Sequence, residues 1–351
     1  MRTKIITAIA LLLQWLPIAG QNTLTSACNS PRAGDVLDEK VVQYISPDEG
    51  GWNMIWDFSG MLDNQRSYRK EYVADSLGRI VGIGPFALEK YIALGDTTYL
   101  TGYEDPSVKV EFDLPMPYMS SPFEYGDSLS SAFLAHGLLN NRNALEIEGK
   151  VTIDADGAGL LILQERDTLH GVLRIHANRF LDIAISEDSL TDNAKVHQLV
   201  NEQRYQWYAR GYRYPILETA IITTKVGEMP QTTSHLTLYY PPESQKLLVD
   251  STNKEIRRED SVSVSRHSLI IDYSASVIGS EIVVTYNLKK EADLAFIVSD
   301  VNGIVYRQKV LHQQQGGNYE VTIDCNGLRR GTYALYIHAD DEVHSSKVVL
   351  K

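Results

Sequence analysis

The chain has 351 residues, a formal net charge of −12, 43% hydrophobic and 22% charged residues, 24 glycines, 12 prolines and two cysteines. This globular profile excludes long disorder, collagen and low complexity. The acidity argues against a nucleic-acid partner, because phosphate contacts need a basic footprint. Two cysteines are too few for a disulfide scaffold or a cysteine-based zinc site.

The N-terminus opens with Arg2 and Lys4, followed by an apolar run over 5–16 broken by Thr7 and Gln14. The small residues Ala19 and Gly20 precede Gln21. This is the three-part layout of a secretory signal peptide, so 1–20 is assigned as signal, with cleavage between Gly20 and Gln21. The apolar run is shorter than the roughly 20 residues that span a bilayer, which argues against an anchor. Export implies an oxidising compartment, where Cys28 and Cys325 could pair; two idle thiols fit the sequence equally well. The polar stretch 21–27 separates Cys28 from the apolar run and speaks against lipid attachment.

Charge divides the remaining chain. Residues 21–256 carry 20 basic and 33 acidic side chains, or −13, whereas 257–351 carry 11 and 12, or −1. The polar run DSTNKEIRREDS at 250–261 interrupts the strand pattern near the same point. The expected organisation is an acidic β-rich domain over 21–250, a linker over 251–262 and a C-terminal domain over 263–351. A long charged loop within one domain is the alternative.

Taken in chain order, 41–125 reads as irregular strands with Trp52, Trp56, many glycines and several prolines. Val81-Gly82-Ile83-Gly84 is a lone G-x-G without a third glycine and reads as a turn. Residues 86–94 and 192–202 are the only helix candidates. Short strands are expected at 151–153, 159–163, 172–176, 181–185, 205–208, 216–224 and 236–240. An Asp154-Ala155-Asp156-Gly157 turn and a Glu165-Arg166-Asp167 loop fall between them. Twenty tyrosines suit strands, where a ring packs on a pleated face and its hydroxyl reaches water. Seven short strands follow at 268–273, 281–288, 294–299, 304–310, 319–323, 332–338 and 343–350. That density predicts an immunoglobulin-like β-sandwich. The fold class is therefore all-β.

Chemistry is hard to place. No nucleophile elbow, P-loop, dinucleotide fingerprint or H-E-x-x-H occurs, and no cofactor is implied. His170 and His176 are an even number apart and share a strand face if the strand is regular, but a metal would need a further ligand. Asp154-Ala155-Asp156-Gly157 resembles half a calcium loop with Glu165 at the twelfth position; Ala158 stands where an oxygen ligand belongs. Carboxylate pairs for glycoside hydrolysis cannot be chosen among so many acids. The densest aromatic cluster is Tyr205, Trp207, Tyr208, Tyr212 and Tyr214. Alternation puts Tyr205 and Trp207 on one face and Tyr208 on the other. Tyr205, Trp207 and Tyr212 are candidate sugar-stacking rings, with Arg210 and Arg213 to add hydrogen bonds. A packed β core with a Pro-terminated strand is the favoured reading of the cluster.

The tail has further features. Ser299-Asp300-Val301-Asn302-Gly303 forms a turn between strands, Leu328-Arg329-Arg330-Gly331-Thr332-Tyr333 follows, and Ser346-Lys347-Val348-Val349-Leu350-Lys351 closes the chain. In that order and spacing they resemble the C-terminal sorting domain of proteins exported by the type IX secretion system of Gram-negative bacteria. The resemblance covers roughly 265–351 and rests on Asn302, Gly303, Gly331, Tyr333, Lys347 and Lys351. The opening Pro-Asn-Pro-like turn of that family is replaced by Ser263-Val264-Ser265-Arg266-His267. The resemblance implies recognition by outer-membrane secretion machinery and a surface or extracellular destination. The stretches 157–163 with 172–175, and 205–215, are similar to uncharacterised secreted proteins carrying the same tail. The expected function is a non-catalytic structural, adhesive or ligand-binding role toward a surface glycan or protein. The alternative is a secreted hydrolase acting on glycans or peptides.

Overall fold

The computed structural model describes residues 23–164, 168–186, 195–300, 304–340 and 342–350. Gly20, Gln21, Asn302, Gly303, Lys351 and the 165–167 loop lie outside the described residues. Among those described, no helix is long and apolar enough to cross a membrane.

The protein is all-β in two units. A short helix α1 (Ser26–Asn29) precedes β1 (Val36–Val42), β2 (Gly51–Asp57), β3 (Asp63–Ala74), β4 (Ile80–Ile83), β5 (Leu88–Leu94), β6 (Thr97–Glu104) and β7 (Val108–Ser120). Then come β8 (Ser128–Leu139), β9 (Asn143–Ile162), β10 (Thr168–Ser186), β11 (Lys195–Ala209), β12 (Leu217–Val226) and β13 (Thr232–Tyr239). β3 to β13 run up and down as consecutive antiparallel neighbours, and β1 fits between β13 and β3. Since β9 also pairs with β10, twelve strands close into a barrel. β2 lies outside that ring, parallel to the end of β9. Gly159 permits the approach: a Cβ there would stand 1.9 Å from the Met54 carbonyl oxygen.

Along β9 the barrel wall alternates apolar-in and polar-out. On β9, Leu145, Ile147, Val151 and Ile153 point inward and are buried, while Glu146, Glu148 and Lys150 are exposed on the outer face. A bilayer-spanning barrel shows the reverse pattern. The expected irregular strands of 41–125 are thus mostly regular barrel strands.

Helices α2 (Pro242–Lys246) and α3 (Ser251–His267) close one end of the barrel and lead out of it. The stretch expected as a linker is helical, and its first half is fastened to the barrel. Asn253 Nδ2 donates to the Cys28 carbonyl at 2.8 Å, Arg257 donates to the Gly211 carbonyl, and Arg210 pairs with Asp260 at 3.1 Å.

The second unit contains β14 (Ile270–Ile278), β15 (Glu281–Leu288), β16 (Ala292–Ser299), β17 (Val305–Gln314), β18 (Gly317–Asp324), β19 (Gly331–Ala339) and β20 (Glu342–Leu350). Sheet β14-β15-β18 faces sheet β17-β16-β19-β20, an immunoglobulin-like sandwich. Ile282, Val284, Phe296, Val298, Leu335 and Ile337 are fully buried between the sheets. Each such side chain contributes about 1.5–3 kcal/mol by leaving water.

Candidate functional site

A sheet of eight strands closes around a space that side chains just fill; twelve strands enclose more. The inward positions of this barrel therefore decide what it can hold. They form three layers along its axis.

The lowest layer is aromatic. Tyr72, Tyr91, Tyr118, Tyr208 and Tyr240 fill the lumen near the end closed by α1 and α2, with Tyr72 stacked on Tyr214 at 4.8 Å. Leu24, fully buried, plugs the bottom beside Phe123. A buried polar knot seals this end: Arg213 Nε donates to Asp250 at 2.8 Å and its Nη atoms to the Ser30 and Ala27 carbonyls. Asp35 accepts from the Tyr214 hydroxyl at 3.1 Å.

The middle layer is charged. On the β10–β12 wall, Arg204 Nε donates to Glu202 Oε1 at 2.6 Å, and Arg179 reaches the same oxygen at 3.4 Å. Arg204 also pairs with Glu218, whose other oxygen accepts from Gln206 Nε2 at 2.7 Å. On the opposite wall, Lys70 Nζ meets Glu89 at 3.2 Å and the Tyr91 hydroxyl donates to Glu89 at 2.7 Å. Glu39 accepts from Tyr240 at 2.8 Å through one oxygen; its other oxygen is buried without a partner among the described residues.

These environments push the carboxyls apart. Burial opposes ionisation of Glu202, but Arg204 and Arg179 outweigh it and hold the group down to about 2. Burial likewise works against Glu89, and Lys70 and the Tyr91 hydroxyl overcome it, so its pKa is lowered. For Glu39 burial wins over Lys70 and Tyr240, and its pKa is raised. Besides Glu39, three carboxylates, Glu89, Glu202 and Glu218, face three cations, Lys70, Arg179 and Arg204, in the lumen.

The third layer is aliphatic and open. Leu181, Ile183 and Ile185 on β10, Val200 on β11, Ile222 on β12 and Leu236 on β13 face inward yet are only half-buried. Their counterparts below the charged layer, Leu173, Ile175, Ala177 and Leu238, are buried. The charged heads between keep 13–22% side-chain exposure in Arg179, Arg204, Lys70 and Glu89, so solvent-sized space reaches the middle of the barrel. The result is an apolar cup with a charged floor. Gly149 in its wall makes room for Phe133, whose ring would lie 2.1 Å from a Cβ there.

The sequence-derived candidates sit elsewhere. Tyr205 and Trp207 share the outer face of β11 and Tyr208 the inner, as alternation predicts. Trp207 is fully buried under Trp56 and Phe58, and Tyr212 is buried in the same cluster, so neither offers a ring to a sugar. The segment carrying β2 crosses the outside of the barrel and covers them, which the local sequence does not reveal. Tyr205 is half-buried and stacks on His176 at 4.2 Å. Buried Arg213 and surface Arg210 serve the end closure described above.

Asp154-Ala155-Asp156-Gly157 is not a turn. It lies inside β9, where the register shifts opposite Arg174–Ile175. Aspartate and glycine here mark a bulge, and Asp156 takes both Nε and Nη2 of buried Arg174, at 2.8 and 2.9 Å. A second register shift between Leu169 and Val172 breaks the even spacing of His170 and His176. Among the described residues no group of three His, Cys, Asp or Glu is arranged to hold a metal. Residues 81–83 belong to β4, not to a turn, and Gly82 there accommodates the Tyr72 ring. The helix candidates at 86–94 and 192–202 are not helical where described: 88–94 is β5 and 195–202 belongs to β11. Cys28 and Cys325 are both free thiols.

Of the tail residues, Gly331 opens β19, Lys347 lies on β20, and Tyr333 is buried. The Tyr333 hydroxyl donates to the Arg329 carbonyl at 2.8 Å, four residues upstream. This is the tyrosine corner of immunoglobulin-like sandwiches.

Fold and lumen together define a closed twelve-stranded β-barrel with a partly charged interior, joined to a β-sandwich. Neither protein-family models nor curated proteins match the chain.

Proposed function

We propose that this chain is a secreted or cell-surface binding protein whose barrel holds a small ligand, carried outward by a sorting-type C-terminal sandwich. The observation that carries the reading is the open aliphatic cup ending on a charged floor, since ligand sites are concave, mostly apolar and equipped with a few placed polar groups. The signal-like N-terminus and the tail motifs support export from a Gram-negative cell, with the outer-membrane secretion machinery as partner. The test is native mass spectrometry on protein recovered from its host, with lipid and metabolite extraction. A stoichiometric small molecule is expected. An empty barrel that also fails to take up an apolar fluorophore would sink the container reading.

One observation favours a second reading, a secreted hydrolase. A raised carboxyl, Glu39, lies in the same lumen as the ionised Glu89 and Glu202, which is how acid and base roles are separated. A small glycoside substrate cleaved by the parent and spared by Glu39→Gln would favour it.

A further inference from the structure

The charged cluster on the β10–β12 wall ends toward the cup in a register pair, Arg179 on β10 beside Glu202 on β11. From the bottom it runs Glu218, Arg204, and then Glu202 and Arg179 side by side. Glu202 Oε1 is taken by Arg204 at 2.6 Å, which leaves Arg179 a long contact of 3.4 Å to the same atom. Among the described residues that is its one hydrogen bond, and its buried Nε has no partner. A guanidinium carries five donors in a planar fork matched to a carboxylate. Arg179 is therefore under-bonded.

Its setting gives the shape of what would complete it. The next inward positions toward the mouth are Leu181, Ile183 and Ile185 on the same strand and Val200 beside them, all half-buried. The unpartnered oxygen of Glu39 lies on another wall, closed off beside Tyr240.

We propose that the barrel takes a single-chain carboxylate, its head forked on Arg179 and its alkyl chain against Leu181, Ile183, Ile185 and Val200. The carboxylate would give the under-bonded guanidinium of Arg179 a planar partner, and the chain would cover the half-buried aliphatics. This rests on the container reading of the barrel.

The experiment is displacement of the uncharged fluorophore N-phenyl-1-naphthylamine from the full chain by dodecanoate, 1-dodecanol and dodecylamine. Dodecanoate is expected to displace best. Arg179→Gln should weaken it by about tenfold or more, the scale of a charged hydrogen bond, while leaving 1-dodecanol nearly unchanged. Arg179→Lys keeps the charge and loses the fork; it should fall between, which guards against a misfolded first variant. Leu181→Asn should weaken acid and alcohol together. Equal binding of acid and alcohol, insensitive to Arg179, would overturn the head assignment and leave the container standing. Strongest binding by dodecylamine would overturn the sign. Failure of the fluorophore to enter a folded barrel would overturn both readings.

Discussion

The barrel and the sandwich are built from the same antiparallel strands but solve opposite interior problems. Two sheets stack about 10 Å apart, a gap that aliphatic side chains from both faces fill. Accordingly Ile282, Val284, Phe296 and Leu335 leave the sandwich interior apolar. Twelve strands closed on themselves leave a wider space, and long side chains occupy it: tyrosines at the bottom, then Arg179, Arg204, Lys70 and four glutamates. The sandwich interior serves stability. The barrel interior accepts burial of charge and keeps part of its volume open, which suits a container.

The largest effect that would sharpen this contrast is in the sandwich. Phe296→Ala removes a fully buried ring and should cost about 3–5 kcal/mol, unfolding the sandwich while the barrel persists. Denaturant titration with limited proteolysis would show two separate transitions. Cooperative loss of both units would break the comparison.

Next is Glu202→Gln, which takes from Arg179 its carboxylate contact and from Arg204 one of two, and should cost about 3 kcal/mol at neutral pH. The sign with pH follows from its depressed pKa: the stability contributed by Glu202 is complete above its ordinary value of 4.5 and fades as the pH falls toward 2. The parent and variant melting temperatures should therefore converge in acid. A constant gap across that window would show that the charged cluster is not the source.

A smaller change, Tyr333→Phe, deletes the tyrosine corner and should cost about 1 kcal/mol by thermal melting. If export suffers only in proportion to that loss, Tyr333 in the tail motif is a folding residue and no recognition element. Glu39→Gln removes a carboxyl whose burial disfavours its charge, and it should be neutral or stabilising at pH 8. Last, Lys195→Ala breaks an exposed pair with Glu146 and should shift stability by less than about 1 kcal/mol.

The sandwich was the legible part. Its strands alternate, their turns carry Gly and Asn, and its core is local to each strand pair. Within the barrel the β class was legible, as was the alternation of Tyr205, Trp207 and Tyr208. Closure was not, because it depends on β1 meeting β13, nearly 200 positions away. The cup was hidden for the same reason. Its aliphatics come from four strands, and Arg179 and Glu202 become neighbours only through the β10–β11 register. Asp156 was misread because bulges and turns use the same residues. Trp207 lies in a packed core, the reading favoured for its cluster, but the distant segment that covers it was not legible.

The placement of β1 between β3 and β13 also has a temporal side. Every other seam of the barrel joins strands that follow one another along the chain, so ten hairpin steps can zip as the polypeptide emerges. The first strand must wait with one edge unpaired until Thr232–Tyr239 exists to receive it. Ring closure is thus a long-range, late event, the kind that slows folding and exposes sticky edges. A nascent chain interrupted before residue 232 would present two bare strand edges and no sealed lumen.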